Sequence, residues 1–225
     1  MTPEQTSDTI PLEHIYIEPR VDSPSPPAVI VLHGRGADEH DLIPLARQLP
    51  DELSIISLRA PKPLGPGFTW YDLDLSRGGL HASQPDDADF DRSLELLFAS
   101  IAAATEVYDL DDTQIGLLGF SQGAILSLGA LSQKPSILAW VVGLHGYLPA
   151  RYDEDDLISA AGIPVFLGAG AHDEVIPPTR GEDAAERLEA AGVPVTFRTY
   201  QIGHGTSAQE MEDVVSWVDN RLDHD

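Results

Sequence analysis

Short apolar runs rich in β-branched residues alternate along the chain with longer stretches of helical period. The runs "AVIVLHG" (28–34), "LSIISLRA" (53–60), "QIGLLGFS" (114–121), "LAWVVGLHG" (138–146), "IPVFLGAGAHD" (163–173) and "PVTFRTYQI" (194–202) predict successive strands. Residues 40–49, 86–108, 122–131, 181–191 and 207–222 predict the helices between them. This alternation is the signature of βα units around a mostly parallel sheet of about seven strands. "LEHIYIEP", near the start, alternates apolar and polar residues and predicts an antiparallel edge strand. The strongest helix, "DDADFDRSLELLFASIAAATEVY", opens with acids where the helix dipole favours them and continues in an apolar stripe. Pro135 and Gly192 stand where helices should stop. "VDSPSPP", "APKPLGPGFTW" and the acidic "ARYDEDD" read as loops.

Composition narrows the class. With 225 residues and a 42% hydrophobic fraction, the chain suits one well-buried core, so a single domain over 1–225 is expected, with 1–10 as a flexible tail. Nothing is left over for a large cap domain. No apolar run approaches the length needed to cross a bilayer, so stable membrane insertion is not expected and the cytoplasm is the default location. The absence of cysteine removes disulfides, thiolate metal sites and a cysteine nucleophile together.

Charge changes the picture further. Asp and Glu number 37 against 13 Lys and Arg, a formal net charge of −24, which argues against a nucleic-acid partner. Lys62 and Lys134 are the only lysines. An acidic, lysine-poor surface suits a salt-adapted, halophilic host, in which high salt screens carboxylate repulsion. The competing reading is an ordinary acidic protein.

The chemistry centres on "GFSQGA" (119–124), which fits the G-x-S-x-G nucleophile elbow, a sharp strand-to-helix turn that exposes the serine oxygen above the sheet. Chance supplies that pattern often, but here a buried-strand pattern precedes it and a small-residue helix follows, as the motif requires. Ser121 needs a base, because a free hydroxyl is a poor nucleophile. In elbow enzymes the order is serine, acid, histidine, which leaves His145, His172, His204 and His224. His145 leaves no strand-end acid before it, and His224 lies in the polar terminal tail. His172 directly precedes Asp173, on the opposite face of the strand. His204, in "IGHGTS" between the last strand and the last helix, is the expected base. Asp173, at a strand end, is the expected acid, ahead of Asp153, Asp155 and Asp156, which read as a solvated loop.

An oxyanion hole completes the set. "LHGRGAD" follows the first central strand, and the backbone N–H groups of Arg35 and Gln122 are the expected donors. His33 reads as a hydrogen-bonder that organises this loop. A phosphate loop is disfavoured, since "GRGADEHD" lacks the G-K-[ST] ending and is surrounded by acids.

"LHGRGADEHDLIPLA", "WYDL", "GFSQGA", "AHDEVIP" and "GHGTS", in that order, resemble the phospholipase/carboxylesterase family of small α/β-hydrolases, which includes the acyl-protein thioesterases. The likeness runs from about Pro27 to Leu222. It implies an α/β-hydrolase fold without a cap and a Ser121, Asp173, His204 triad with donors at Arg35 and Gln122. It further implies hydrolysis of esters, thioesters or lysophospholipids with no metal or organic cofactor. The resemblance places "FTWYDL" beside the acyl pocket, making Trp70 and Tyr71 candidates for lining it; a role as core aromatics is the alternative. Alanine at 124 and Arg35 depart from the family pattern and bear on substrate class. The expected partner is a small-molecule ester, and a homodimer is allowed. Competing functions are a dienelactone-hydrolase-like or peptidase-like enzyme of the same fold, or a non-catalytic ligand-binding relative.

Overall fold

A computed structural model describes residues 9–76 and 78–222. The expected tail lies outside the described residues up to position 8, and so does His224; Ile10 is buried against the core. In chain order the elements are β1 (His14–Ile17), β2 (Ala28–Leu32), α1 (Ile43–Ala46), β3 (Ser54–Leu58), β4 (Lys62–Leu64), β5 (Gly67–Thr69), β6 (Leu73–Asp74) and β7 (Gln84–Pro85). Then follow α2 (Asp87–Val107), β8 (Ile115–Phe120), α3 (Gln122–Gln133), β9 (Trp140–Leu144), α4 (Glu154–Leu157), β10 (Val165–Gly170), α5 (Pro178–Ala190), β11 (Val195–Tyr200) and α6 (Ala208–Asp219).

Seven strands form the main sheet in the order β1-β3-β2-β8-β9-β10-β11. Only β1, the alternating segment, runs antiparallel, pairing His14 with Leu58 and Ile17 with Ile55. The continuous apolar runs are buried on both faces, as parallel strands covered by helices must be. Ile30 and Leu32 of β2 face a core built with Phe90, Leu94 and Leu97 of α2 and Leu126 of α3. Val29 and Val31 face the opposite one, closed by Met211, Val214 and Trp217 of α6. This strict alternation fixes the register, because a one-residue slip would exchange the two faces. Gly116 is paired with Trp140 across β8 and β9, and a methyl group on it would overlap the indole ring.

Two features depart from the sequence reading. Residues 62–74 and 84–85, read partly as loop, form two short antiparallel ribbons, β4 with β5 and β6 with β7. The acidic loop carries α4, whose start is closed by reciprocal hydrogen bonds between Asp153 and Asp156. Strand order reverses between β2 and β8, the place in an open α/β sheet where ligands gather beyond the carboxyl ends of the strands.

Candidate active site

Ser121 occupies that switch point, between the end of β8 and the start of α3, with φ 53° and ψ −114°. An L-residue adopts such angles only when its surroundings enforce them. Here the N–H of Ser121 donates to the carbonyl of Leu144 at 2.8 Å, and its own carbonyl accepts from Ile125 at 3.1 Å. The flanking glycines make the turn possible: a methyl group on Gly119 would strike the carbonyl of Gly123, and one on Gly123 would strike the carbonyl of Leu32. The "G-x-S-x-G" spacing thus arises from backbone packed against backbone on both sides of the serine.

The turn lifts Oγ of Ser121 to 2.9 Å from Nε2 of His204. Nδ1 of His204 lies 2.7 Å from Oδ2 of Asp173. The second oxygen of Asp173 accepts the N–H groups of Val175 and Ile176, each at 2.9 Å. Burial by itself would raise the pKa of Asp173, but the hydrogen bonds from His204 and the Ile176 amide hold it below the usual value. An ionised Asp173 fixes the His204 tautomer with its proton on Nδ1 and leaves Nε2 free to take the serine proton. His172, adjacent in sequence, is exposed and turned away, while Asp153 and Asp156 cap α4.

The loop after β2 closes against the serine, for a methyl group on Gly34 would come within 3.6 Å of the Ser121 Cβ. Among the described residues, no protein acceptor takes the backbone N–H of Arg35 or of Gln122. Both residues border the same cavity as Ser121 and His204. His33 stands behind the loop, fully buried: Nδ1 donates to the Gly34 carbonyl at 2.7 Å and Nε2 accepts from the Ala60 amide at 3.0 Å. Burial lowers its pKa, in keeping with a neutral ring that organises the loop.

Against this geometry, the sequence matches the family model described as Phospholipase/Carboxylesterase over residues 14–222. The chain belongs to the phospholipase/carboxylesterase family. It is 30% identical to acyl-protein thioesterase 1 of Candida albicans across 86% of this chain and 91% of that protein. It is 26% identical to the putative hydrolase MhqD of Bacillus subtilis across 92% and 97% of the two chains. The Bacillus cereus carboxylesterase structure superposes with a TM-score of 0.81 at 25% identity, over 94% of this chain and 95% of that one.

The resemblance makes Trp70 and Tyr71 candidates for pocket walls, with core aromatics as the alternative, and their burial fits the alternative. Both are fully buried, and neither lines the cavity. The indole N–H of Trp70 donates to the His33 carbonyl at 2.9 Å, and the Tyr71 hydroxyl donates to the Gln122 carbonyl at 3.2 Å. They brace the two donor segments from behind. The apolar wall comes instead from Leu73, Leu80, Ile125, Tyr147, Val175 and Ile176. These residues lie on β6, the turn before β7, α3 and the loops after β9 and β10; Leu73 closes "WYDL", and Val175 and Ile176 fall within "AHDEVIP".

In this family member two further buried residues also join the site. His145, φ 54°, directs Nδ1 to Oδ2 of Asp173 at 3.1 Å and Nε2 to Oε2 of Glu210 at 3.3 Å. Ser207 caps α6, its hydroxyl accepting the Glu210 amide at 3.2 Å, while the Glu210 side chain is fully buried. His145, Asp173 and His204 also form a group with donor atoms within 4.8 Å of one another, the kind that can hold a metal ion. Those atoms are already spent in the hydrogen bonds just described.

Proposed function

We propose that the protein is a serine carboxylesterase that cleaves small carboxylic esters, and thioesters of similar size, through an acyl-enzyme. Ser121 attacks the acyl carbon as His204 takes its proton; Asp173 holds His204 and stabilises the imidazolium. The N–H groups of Arg35 and Gln122 receive the charge that develops on the carbonyl oxygen. His204 then returns its proton to the leaving alcohol or thiol, and water activated by the same histidine releases the acid. The observation that carries this reading is the unbroken chain of contacts from Ser121 through His204 to Asp173 at the floor of a cavity.

The cavity holds about 170 Å³, well below the roughly 300–1,000 Å³ of sites that enclose drug-sized ligands. Its wall is mainly apolar, which favours short, uncharged acyl groups over long ones. A profile of hydrolysis across p-nitrophenyl esters and acyl-thioesters of increasing length tests both chemistry and size. Short esters should be cleaved fastest, and Ser121→Ala should abolish turnover and fluorophosphonate labelling together. Labelling retained at another residue would overturn the assignment.

The same proposal includes a single domain in a salt-adapted cytoplasm, with no nucleic-acid partner. The net charge of −24 supports the last two points. Light scattering would distinguish a monomer from the homodimer that the chain allows.

A further inference from the structure

Asp173 has more partners than a triad needs. Oδ2 is shared by Nδ1 of His204 and Nδ1 of His145, while Oδ1 receives two backbone amides. Four donors converge on one carboxylate, so Asp173 carries no proton and Nδ1 of His145 must carry one. Nε2 of His145 in turn meets Oε2 of Glu210, and that contact also needs a proton, on the ring or on the carboxyl. Either way, Glu210 and His145 share one proton more than a neutral histidine beside a carboxylate, and the pair is uncharged overall.

Nothing about this arrangement is casual. His145 and Glu210 have no exposed side-chain surface. Glu210 sits in the first turn of α6, where its amide donates to Ser207 at 3.2 Å, yet its side chain turns into the protein instead of completing the cap. The space it enters exists because residue 168 on β10 is glycine; a methyl group there would overlap Oε1. The amide of His145 is fixed by the carbonyl of Gly168 at 2.8 Å, and its φ of 54° aims the ring between the two carboxyls. Breaking such a buried pair would leave one charge without compensation, which proteins rarely tolerate without a gain elsewhere.

We propose that Glu210 and His145 are positioning residues for the catalytic acid, and that the proton they share keeps the Nδ1–H of His145 on Asp173. This rests on Ser121, His204 and Asp173 being the reacting set. With the proton present, both faces of His145 are donors or matched partners, and Asp173 is held by four hydrogen bonds in the orientation His204 requires. When the proton leaves, a neutral His145 stands between two buried carboxylates and can donate to only one. Its hold on Asp173 then competes with its hold on Glu210, and His204 loses orientation. The groups that face His145 are Asp173 from the loop after β10, Glu210 from α6 and, edge-on with ring centres 5.8 Å apart, His204 from the loop after β11. Burial favours a neutral His145, but Glu210 first and Asp173 next hold its pKa above the ordinary histidine value. The proton therefore leaves only above the range in which ordinary histidines titrate, and a fall in kcat is expected there.

Steady-state kinetics against pH, on the full chain, test this with Glu210→Leu, Glu210→Gln and His145→Asn. Glu210→Leu removes the partner of Nε2 and should lower kcat about tenfold, the loss typical when a group that orients an active residue is removed, with KM changed less than about threefold. Glu210→Gln can donate an amide N–H to a neutral His145 without a titrating proton. It should recover most of kcat and abolish the alkaline fall. Asparagine tolerates positive φ and places an N–H near the position of Nδ1, so His145→Asn should also retain part of kcat without the alkaline fall. Wild-type kcat that stays flat through the alkaline range, or a fall unchanged in Glu210→Gln, would overturn the proposal. So would a Glu210→Leu enzyme with wild-type kcat. If Glu210→Leu does not fold, the profile of Glu210→Gln still decides. Ser121→Ala is the separate control: activity surviving there would refute the reacting set itself.

Discussion

The side-chain oxygen of Gln122 accepts the backbone N–H of Trp70 at 2.9 Å, tying the residue beside the nucleophile to a segment 52 positions earlier. The same oxygen accepts the Thr69 hydroxyl at 3.0 Å, and the amide nitrogen donates to the Tyr71 carbonyl at 2.8 Å. Residues 69–71 therefore brace the start of α3, and with it the direction of the Gln122 N–H.

Replacing Gln122 with leucine would leave the Trp70 amide buried without a partner, while the Tyr71 carbonyl would keep only the Thr69 hydroxyl. An orphaned buried group of this kind costs about 1–3 kcal/mol, so urea denaturation should report a loss of that size. Activity should fall as well, through kcat, because the backbone donor loses its support. A variant within about 0.5 kcal/mol of wild type would show that the brace is not structural.

The backbone strain at Ser121 separates two inactive variants. Alanine keeps a Cβ at φ 53°, whereas glycine removes the steric conflict. Ser121→Gly should therefore unfold at higher denaturant than Ser121→Ala, by about 1 kcal/mol once the greater chain entropy of glycine is set against relieved strain. Equal midpoints would mean that the turn holds little strain.

Asp173→Asn keeps an oxygen for the Val175 and Ile176 amides but presents the wrong group to His204. By analogy with the same change in other serine triads, kcat should fall on the order of 10³–10⁴-fold. Stability should respond to pH in a defined sense. The folded pKa of Asp173 is depressed, so its contribution is complete above the ordinary aspartate value of about 3.9 and is lost as pH falls through the lower folded value. The stability gap between wild type and Asp173→Asn should shrink over that acidic window. A gap independent of acid pH would contradict the depressed pKa.

Salt should matter more than for most enzymes of this size. A formal charge of −24 repels itself at low ionic strength, and molar KCl screens it within about 3 Å. The melting temperature should rise steadily from low to molar KCl, and a flat curve would end the halophile reading.

Much of the fold was legible because each strand of the main sheet announces itself. β2, β8 and β10 are continuous apolar runs, and the helix from Asp87 to Val107 falls within one residue of its predicted ends, with Asp86 capping it. The ribbons between Lys62 and Pro85 escaped because their strands are two or three residues long, too short for any period to register. Ser121, His204 and Asp173 could be singled out together because each stands at a strand end or turn, with glycines around Ser121 and His204. His145 and Glu210 could not. His145 precedes the strand-end acid in sequence, and Glu210 occupies a position in the first turn of a helix whose ordinary place is the surface.

What the sequence by itself determined is the parallel sheet, the elbow and the order of serine, acid and histidine, because those follow from local periodicity and from steric demands on single residues. Tertiary structure alone decided what stands behind them. Trp70 and Tyr71 turned from the pocket to brace Gln122 and His33, and Glu210 turned from its cap to meet His145 across the gap left by Gly168. Those choices depend on which surfaces the packed sheet and helices bring within hydrogen-bond reach, at separations of 28 to 65 residues between His145 and its two partners, where no local pattern carries information.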